Sequence, residues 1–302
     1  MLAITGGTGF VGQALLEHAE AANAPVRALA RRPQSGRGGV EWVLGDLSDR
    51  DALARLVRGA EAVIHVAGVT NTPDVNEFER GNVIGTMNLI AAARAAGVPR
   101  FVFVSTLAAR EPGLSHYGAS KARAERLVKA SGLDWTIVRP PSVYGPHDTD
   151  FLDMFKAARW GVLPMPPREG RSSIIHSHDL ARLLLAVVPD DERVLHEVFE
   201  LDDGRPQGWS HYELARAIGW AVGRRPLVLG MSERTMRMAA STDRFLRRGK
   251  AKLTHDRVGY MVHPDWVARA HHAVPPAIWQ PRIETREGLK QTACWYREAG
   301  WL

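Results

Sequence analysis

The chain has 302 residues, enough for one large or two modest domains around a well-buried core. Its 45% apolar content is ordinary for a globular protein, and the longest apolar run, Leu183 to Val188, is far too short for a membrane span. A net charge of +6 comes without a nucleic-acid-binding motif, so nucleic acid is not expected as a partner; the lone Cys294 excludes an internal disulfide and, with no basic lead-in to suggest a signal peptide, fits a cytoplasmic location.

Leu2 to Ile4 read as a short buried strand, Thr5 to Gly12 as a glycine-rich turn, and Gln13 to Ala22 as a helix. Gly6, Gly9 and Gly12 stand in a G-x-x-G-x-x-G spacing. A turn leaving a buried strand needs positive φ, and a pyrophosphate needs bare backbone N–H groups at a helix N-terminus. Gly6, Thr8, Gly9, Phe10, Val11 and Gly12 are therefore candidates to hold a dinucleotide.

Val26 to Ala30 form a second strand that ends in Arg31-Arg32-Pro33. A domain that prefers NAD places an acid here for the ribose 2′-hydroxyl. This chain has no acid between Glu20 and Glu41 and offers two arginines, which pair with a 2′-phosphate. NADP(H) is favoured, with NAD(H) as the second choice; the alternative is that both arginines only solvate the loop.

Glu41 to Leu44 give a third strand, followed by Asp46 and Leu47, and Asp51 to Val57 a helix. Ala62 to Val66 form a strand leading into Ala67-Gly68. Helix signals run from Glu77 to Gly97 and enclose Asn82. Phe101 to Val104 form a strand closed by Ser105-Thr106. This alternation predicts an α/β fold, a doubly wound parallel sheet of Rossmann type, with ligands beyond the carboxyl ends of its strands. Ser115 to Lys121 lead into a helix over Ala122 to Ala130. Tyr117 and Lys121, four apart, share one helical face. Trp135 to Val138 form a sixth strand, followed by Arg139-Pro140-Pro141-Ser142-Val143-Tyr144-Gly145-Pro146.

These pieces, taken in order with His65 to Gly68 and Asn82 to Thr86, resemble the short-chain dehydrogenase/reductase superfamily in its extended or atypical branch. His176 to Leu180 is similar to the late segment of that family, so the resemblance covers about residues 1 to 185. It implies hydride chemistry in which Tyr117 is the acid/base and Lys121 lowers its pKa and holds the nicotinamide ribose. Thr106 would orient the substrate oxygen, with Ser105 as competitor. Asn82 would support Lys121 or simply join two helices. Asp46, with Leu47, would lie near the adenine, and Val143, with Pro140, near the carboxamide.

Thr106 and Tyr117 are only eleven residues apart, and Leu107 and Ala108 stand where dehydratases of this family carry an acidic pair. Both departures favour plain ketone reduction or alcohol oxidation. The short gap is similar to that of atypical members related to the complex I accessory subunit, near bacterial ketoreductases of lipids, including ceramide-type ketones. A sugar-nucleotide epimerase and a non-catalytic dinucleotide-binding protein are the alternatives.

The expected domains are residues 1–148, with 172–198 returning to the sheet, and a smaller substrate-binding part over 149–302. Phe151 to Trp160 read as a helix, and Ser210 with Glu213 as a capping box. Ser232 to Leu246 read as a helix whose methionines either shape a pocket for a greasy ligand or pack a core. Arg247, Arg248 and Lys250 after it are either a solvated face or a contact for a lipid headgroup and membrane surface. His176, His178 and Asp179 are explained by the resemblance and no metal is expected. Cys294 is expected to pack. A homodimer is an expectation of the family alone.

Overall fold

The structure, a computed structural model, describes residues 1–247 and 251–302. The chain divides into two compact units. The first comprises Met1–Arg139, Leu180–Phe199 and Val274–Trp279; the second comprises Pro140–Asp179, Glu200–Ala273 and Gln280–Leu302.

In the first unit the elements run β1 (Leu2–Thr5), α1 (Phe10–Ala21), β2 (Val26–Ala30), β3 (Val40–Leu44), α2 (Arg50–Val57), β4 (Ala62–His65), α3 (Val75–Phe78), α4 (Gly85–Ala95), β5 (Arg100–Val104), α5 (His116–Lys129) and β6 (Asp134–Arg139). A seventh strand, Glu197–Glu200, completes a sheet in which β6, β5, β4, β1, β2 and β3 follow it in that order. The pairings among β1 to β6 are all parallel. Every residue of β1, β4 and β5 is buried, as a parallel strand covered on both faces requires. Leu53, Leu56, Val63, Leu89, Phe101 and Phe103 lie in one continuous core. The order reverses between β1 and β4, which opens the crevice where such sheets bind ligands.

Two elements depart from expectation. The helix expected over Glu77 to Gly97 is broken by a wide π-turn at Glu79–Ile84. There Gly81 packs on Val69, and the Asn82 amide is drawn into bonds with the Val69 backbone. Such turns re-aim a side chain at functional positions. Helix α5 starts six residues earlier than Ala122, because the Ser115 hydroxyl accepts from Gly118 N at 2.9 Å and caps it.

The second unit has its own core of Tyr144, Phe155, Leu163, Ile218 and Tyr296. Short parallel pairs join Ser142–Tyr144 to Ile174–His176 and Val162–Met165 to Leu227–Gly230. The Ser210–Glu213 capping box forms at helix His211–Ala221. Helix Thr285–Glu298 buries Leu289, Ala293 and Tyr296, and Trp295 and Trp301 pack on this core. Cys294 does not pack as expected. It falls off the buried stripe of that helix and is exposed. Of the methionine-rich helix Glu233–Arg247, Met236 is buried while Met238, Phe245 and Leu246 are exposed. Arg247 pairs with Asp243 at 3.0 Å; Arg248 and Lys250 lie outside the described residues.

Candidate active site

The glycine-rich turn is shaped by contacts that exclude side chains. Gly6 has φ +78°, and a Cβ there would lie 2.6 Å from Ala67 N. A Cβ at Gly12 would lie 2.0 Å from the Gly6 carbonyl oxygen, so the first turn of α1 rests on backbone alone. Gly9 N donates to Gly6 O at 3.0 Å and tightens the loop. No side chain caps α1, so its leading N–H groups keep their donor capacity. This cradle of backbone donors at the positive end of a twelve-residue helix fits a pyrophosphate. Thr8, Phe10 and Val11 lie on the same turn.

Arg31 and Arg32 follow β2 and are both exposed. Neither guanidinium has an ion pair or hydrogen bond with protein among the described residues. Asp46 accepts from Ser48 N at 2.7 Å and Ser48 Oγ at 2.6 Å. These bonds, helped by Asp49 N–H and the Arg31 charge, hold its carboxyl below the usual range. Leu47 is half-buried on the core, and Gly85 lies against its side chain.

A buried relay joins the ends of β1 and β4 to the π-turn. Thr86 Oγ1 donates to Asn82 O at 2.7 Å, so it accepts from His65 Nε2–H at 2.9 Å. Nδ1 of His65 is then the acceptor for Thr5 Oγ1–H at 2.6 Å, and Thr5 Oγ1 accepts from Ala67 N at 3.2 Å. Burial, with the Lys121 charge, pushes His65 down to about 3, so the ring is neutral. The Asn82 side chain accepts from Val69 N at 2.7 Å and donates to Ser120 Oγ and Val69 O, each at 2.9 Å. Ser120 Oγ donates to Tyr117 O at 2.7 Å. Asn82 therefore reaches α5 through Ser120.

Gly118 lets α5 lie on the short helical turn Leu107–Arg110 that follows Thr106; a Cβ there would meet Ala108 O at 2.6 Å. Tyr117 is half-buried, its ring 6.1 Å from that of Phe78. Lys121 is buried. Its Nζ donates to Val104 O at 2.8 Å and stands 4.1 Å from the centre of the Phe103 ring. Burial pushes this ammonium down to about 7, against the opposing pull of Glu125. A Cβ on Gly68 would lie 3.1 Å from Asn82 Oδ1 and 3.8 Å from Lys121 Nζ, so these three residues share one corner.

Ser105 and Thr106 differ in burial and in hydrogen bonding. Ser105 is buried and donates to Glu125 Oε1 at 2.6 Å. Glu125 is gripped by Arg139 through Nε at 2.8 Å and Nη2 at 2.7 Å. The hydrogen of the Ser105 hydroxyl is therefore committed to Glu125, and Ser105 N donates to Val138 O at 2.7 Å. Thr106 is partly exposed and its Oγ1 accepts from Ala108 N at 3.2 Å, leaving its O–H able to donate. Pro140 and Val143 belong to the second unit, where Val143 pairs with Ile175. Glu125, Arg139, Ser120 and Phe103 were not anticipated as site residues. Glu125 was legible as the residue one turn beyond Lys121.

His176 and His178 stack at 5.3 Å, and Asp179 accepts from Arg282 N and Ile283 N. Among the described residues no cluster of His, Cys, Asp and Glu is placed to hold a metal.

The chain matches the family described as NAD(P)H-binding over residues 6–191. It belongs to the short-chain dehydrogenase/reductase superfamily, in the extended branch that includes NAD-dependent epimerases and dehydratases. This extended short-chain dehydrogenase/reductase is 36% identical to a ceramide reductase of Caulobacter vibrioides, across 100% of this chain and 96% of that protein. It is 29% identical to a 2-alkyl-3-oxoalkanoate reductase of Stenotrophomonas maltophilia, across 95% and 97%. The crystal structure of gox2253 superposes with a TM-score of 0.79 and 27% identity, across 100% and 99% of the two chains. The protein is an NAD(P)-dependent oxidoreductase.

Proposed function

We propose that this enzyme reduces the ketone of a lipid-like, ceramide-type substrate to a secondary alcohol, with NADPH as its dinucleotide. The observation that carries the reading is Lys121 Nζ bonded to Val104 O at the carboxyl end of β5, with Thr106 two residues further along the chain and Tyr117 one turn before Lys121 on α5. The full-length likeness to a ceramide reductase supports the substrate class. The exposed Met238, Phe245 and Leu246 supply apolar surface of the kind a lipid tail covers. The unpaired Arg31 and Arg32 support a 2′-phosphate over a bare hydroxyl.

Gly6, Gly9 and Gly12 would seat the pyrophosphate, Lys121 the nicotinamide ribose, and Arg31 with Arg32 the 2′-phosphate. When bound, the reduced dinucleotide supplies a hydride to the carbonyl carbon. Thr106 donates a hydrogen bond to the carbonyl oxygen and holds it beside Tyr117. As the C=O π pair collapses onto oxygen, the Tyr117 hydroxyl gives that oxygen its proton. The Lys121 ammonium, held by Val104 O and the Phe103 ring, stabilises the phenolate left behind. Glu125, tied by Ser105 and Arg139, keeps positive charge favoured on Lys121.

The test is consumption of NADPH with a detergent-dispersed ceramide-type ketone, with the product identified by mass spectrometry. The expected result is a secondary alcohol formed one for one with oxidised dinucleotide. No consumption with any long-chain ketone, alongside interconversion of a nucleotide sugar without net oxidation, would overturn the reading in favour of an epimerase.

A further inference from the structure

The second unit carries an open cavity of about 360 Å³ walled by Arg216, Trp220, Arg224, Arg225 and Arg286. None of the four guanidiniums has an ion pair or hydrogen bond with protein among the described residues. Four like charges around one hollow repel one another and raise a strong positive potential inside it. The chemistry that relieves this is an anion with several oxygens, and guanidinium forks suit phosphate best.

The arginine loop that walls the cavity leads along the chain into an apolar strand. Arg224 N donates to Gly219 O at 2.8 Å, and Pro226 packs on Gly219, which fixes the arginine loop to helix His211–Ala221. Two residues after Arg225 the chain enters strand Leu227–Gly230, tied at its start by Leu227 N to Gly161 O at 2.9 Å. This strand pairs in parallel with Val162–Met165, Leu227 beside Val162 and Leu229 beside Pro164. Leu163, Met165 and Val228 point inward and are buried. Val162, Pro164, Leu227 and Leu229 point outward and are exposed. Trp160, just before the strand, is 89% exposed, and Leu227 62%. A contiguous apolar sheet face with a bare tryptophan marks an interaction surface.

We propose that this face docks on a bilayer carrying anionic phospholipid, with a phosphate headgroup in the arginine cavity and Trp160, Leu227 and Leu229 at the boundary of headgroups and acyl chains. A soluble phosphoester would fill the cavity yet leave the apolar face in water. An anionic bilayer satisfies both at once, since tryptophan and arginine each combine apolar body with polar end at that depth. The inference does not depend on the reductase reading, because none of these residues enters the proposed chemistry.

The experiment is flotation of the full chain with phosphatidylcholine vesicles and with vesicles containing about 30 mol % phosphatidylglycerol, at low and high salt. Binding is expected only with the anionic lipid and should fall with salt. Replacing Arg224 and Arg225 by Ser should weaken it on the order of tenfold, and Trp160→Ser with Leu227→Ser should also weaken it. Thermal melting and NADPH affinity should match the parent; should a double variant misfold, Arg216→Ser gives the same reading alone. A parallel arm adds glycerol phosphate without vesicles. Strong thermal stabilisation by glycerol phosphate with no vesicle binding would overturn the proposal in favour of a soluble phosphoester. Self-association abolished by Leu227→Ser, again without vesicle binding, would overturn it in favour of contact between copies.

Discussion

The ammonium of Lys121 is buried and donates to the carbonyl oxygen of Val104 at 2.8 Å. Burial lowers its pKa from the usual 10.5 to about 7, with Glu125 opposing the shift. In the unfolded chain this lysine keeps its proton to its ordinary value. Between those limits the unfolded state binds more protons, so stability rises with pH across that window, by at most about 1.4 kcal/mol per pH unit. Lys121→Met should abolish this contribution. Melting of both cofactor-free proteins as a function of pH checks it; curves that stay parallel from pH about 7 upward would show that Lys121 is fully charged in the fold.

Tyr117→Phe removes one hydroxyl and keeps the ring that packs near Phe78. The variant should bind NADPH like the parent and lose turnover by about 10²- to 10⁴-fold, the range for a positioned acid/base. Fluorescence titration and steady-state kinetics separate the two. Retained turnover would remove Tyr117 from its proposed role.

Arg31 and Arg32 stand where an acid would serve the ribose hydroxyl, and neither is engaged by protein among the described residues. Arg31→Ala should raise the Kd for NADPH by about tenfold or more, the value of one charge-assisted phosphate contact, and leave that for NADH almost unchanged. Equal affinities for the two dinucleotides in the parent would defeat the NADP preference.

The glycine turn, the alternation of strands and helices and the helix that carries Tyr117 and Lys121 were legible because they obey local rules. A buried strand must be apolar, a phosphate turn needs glycine, and residues four apart share a helical face. The break at Glu79–Ile84 was not legible, since it depends on Gly81 and Asn82 meeting Val69 across the loop. Nor was the clamp of Arg139 on Glu125, whose partners are fourteen residues apart and meet only when α5 lies on the sheet. The family resemblance ranks Thr106 ahead of Ser105; the bond from Ser105 to buried Glu125 could not be read from the sequence. The exposure of Cys294 follows from a one-residue phase that the amphipathic pattern left loose.

His65 is fully buried and bonded at both nitrogens, to Thr5 at 2.6 Å and Thr86 at 2.9 Å. His65→Leu keeps the bulk and leaves one hydroxyl donor and one acceptor stranded in the core. The expected loss is about 2–4 kcal/mol from two unsatisfied groups, read by chemical denaturation. The ring also sets an acid limit. Its pKa falls from 6.5 to about 3 on folding, so the unfolded chain binds the extra proton between those values. Its contribution is complete above pH 6.5 and is lost progressively as pH falls toward about 3. Subtracting the His65→Leu profile from that of the parent should expose this slope. Because the relay ends on Asn82 O and Ala67 N, the same variant should also weaken dinucleotide binding. A variant that loses stability but keeps parental affinity would confine His65 to the core.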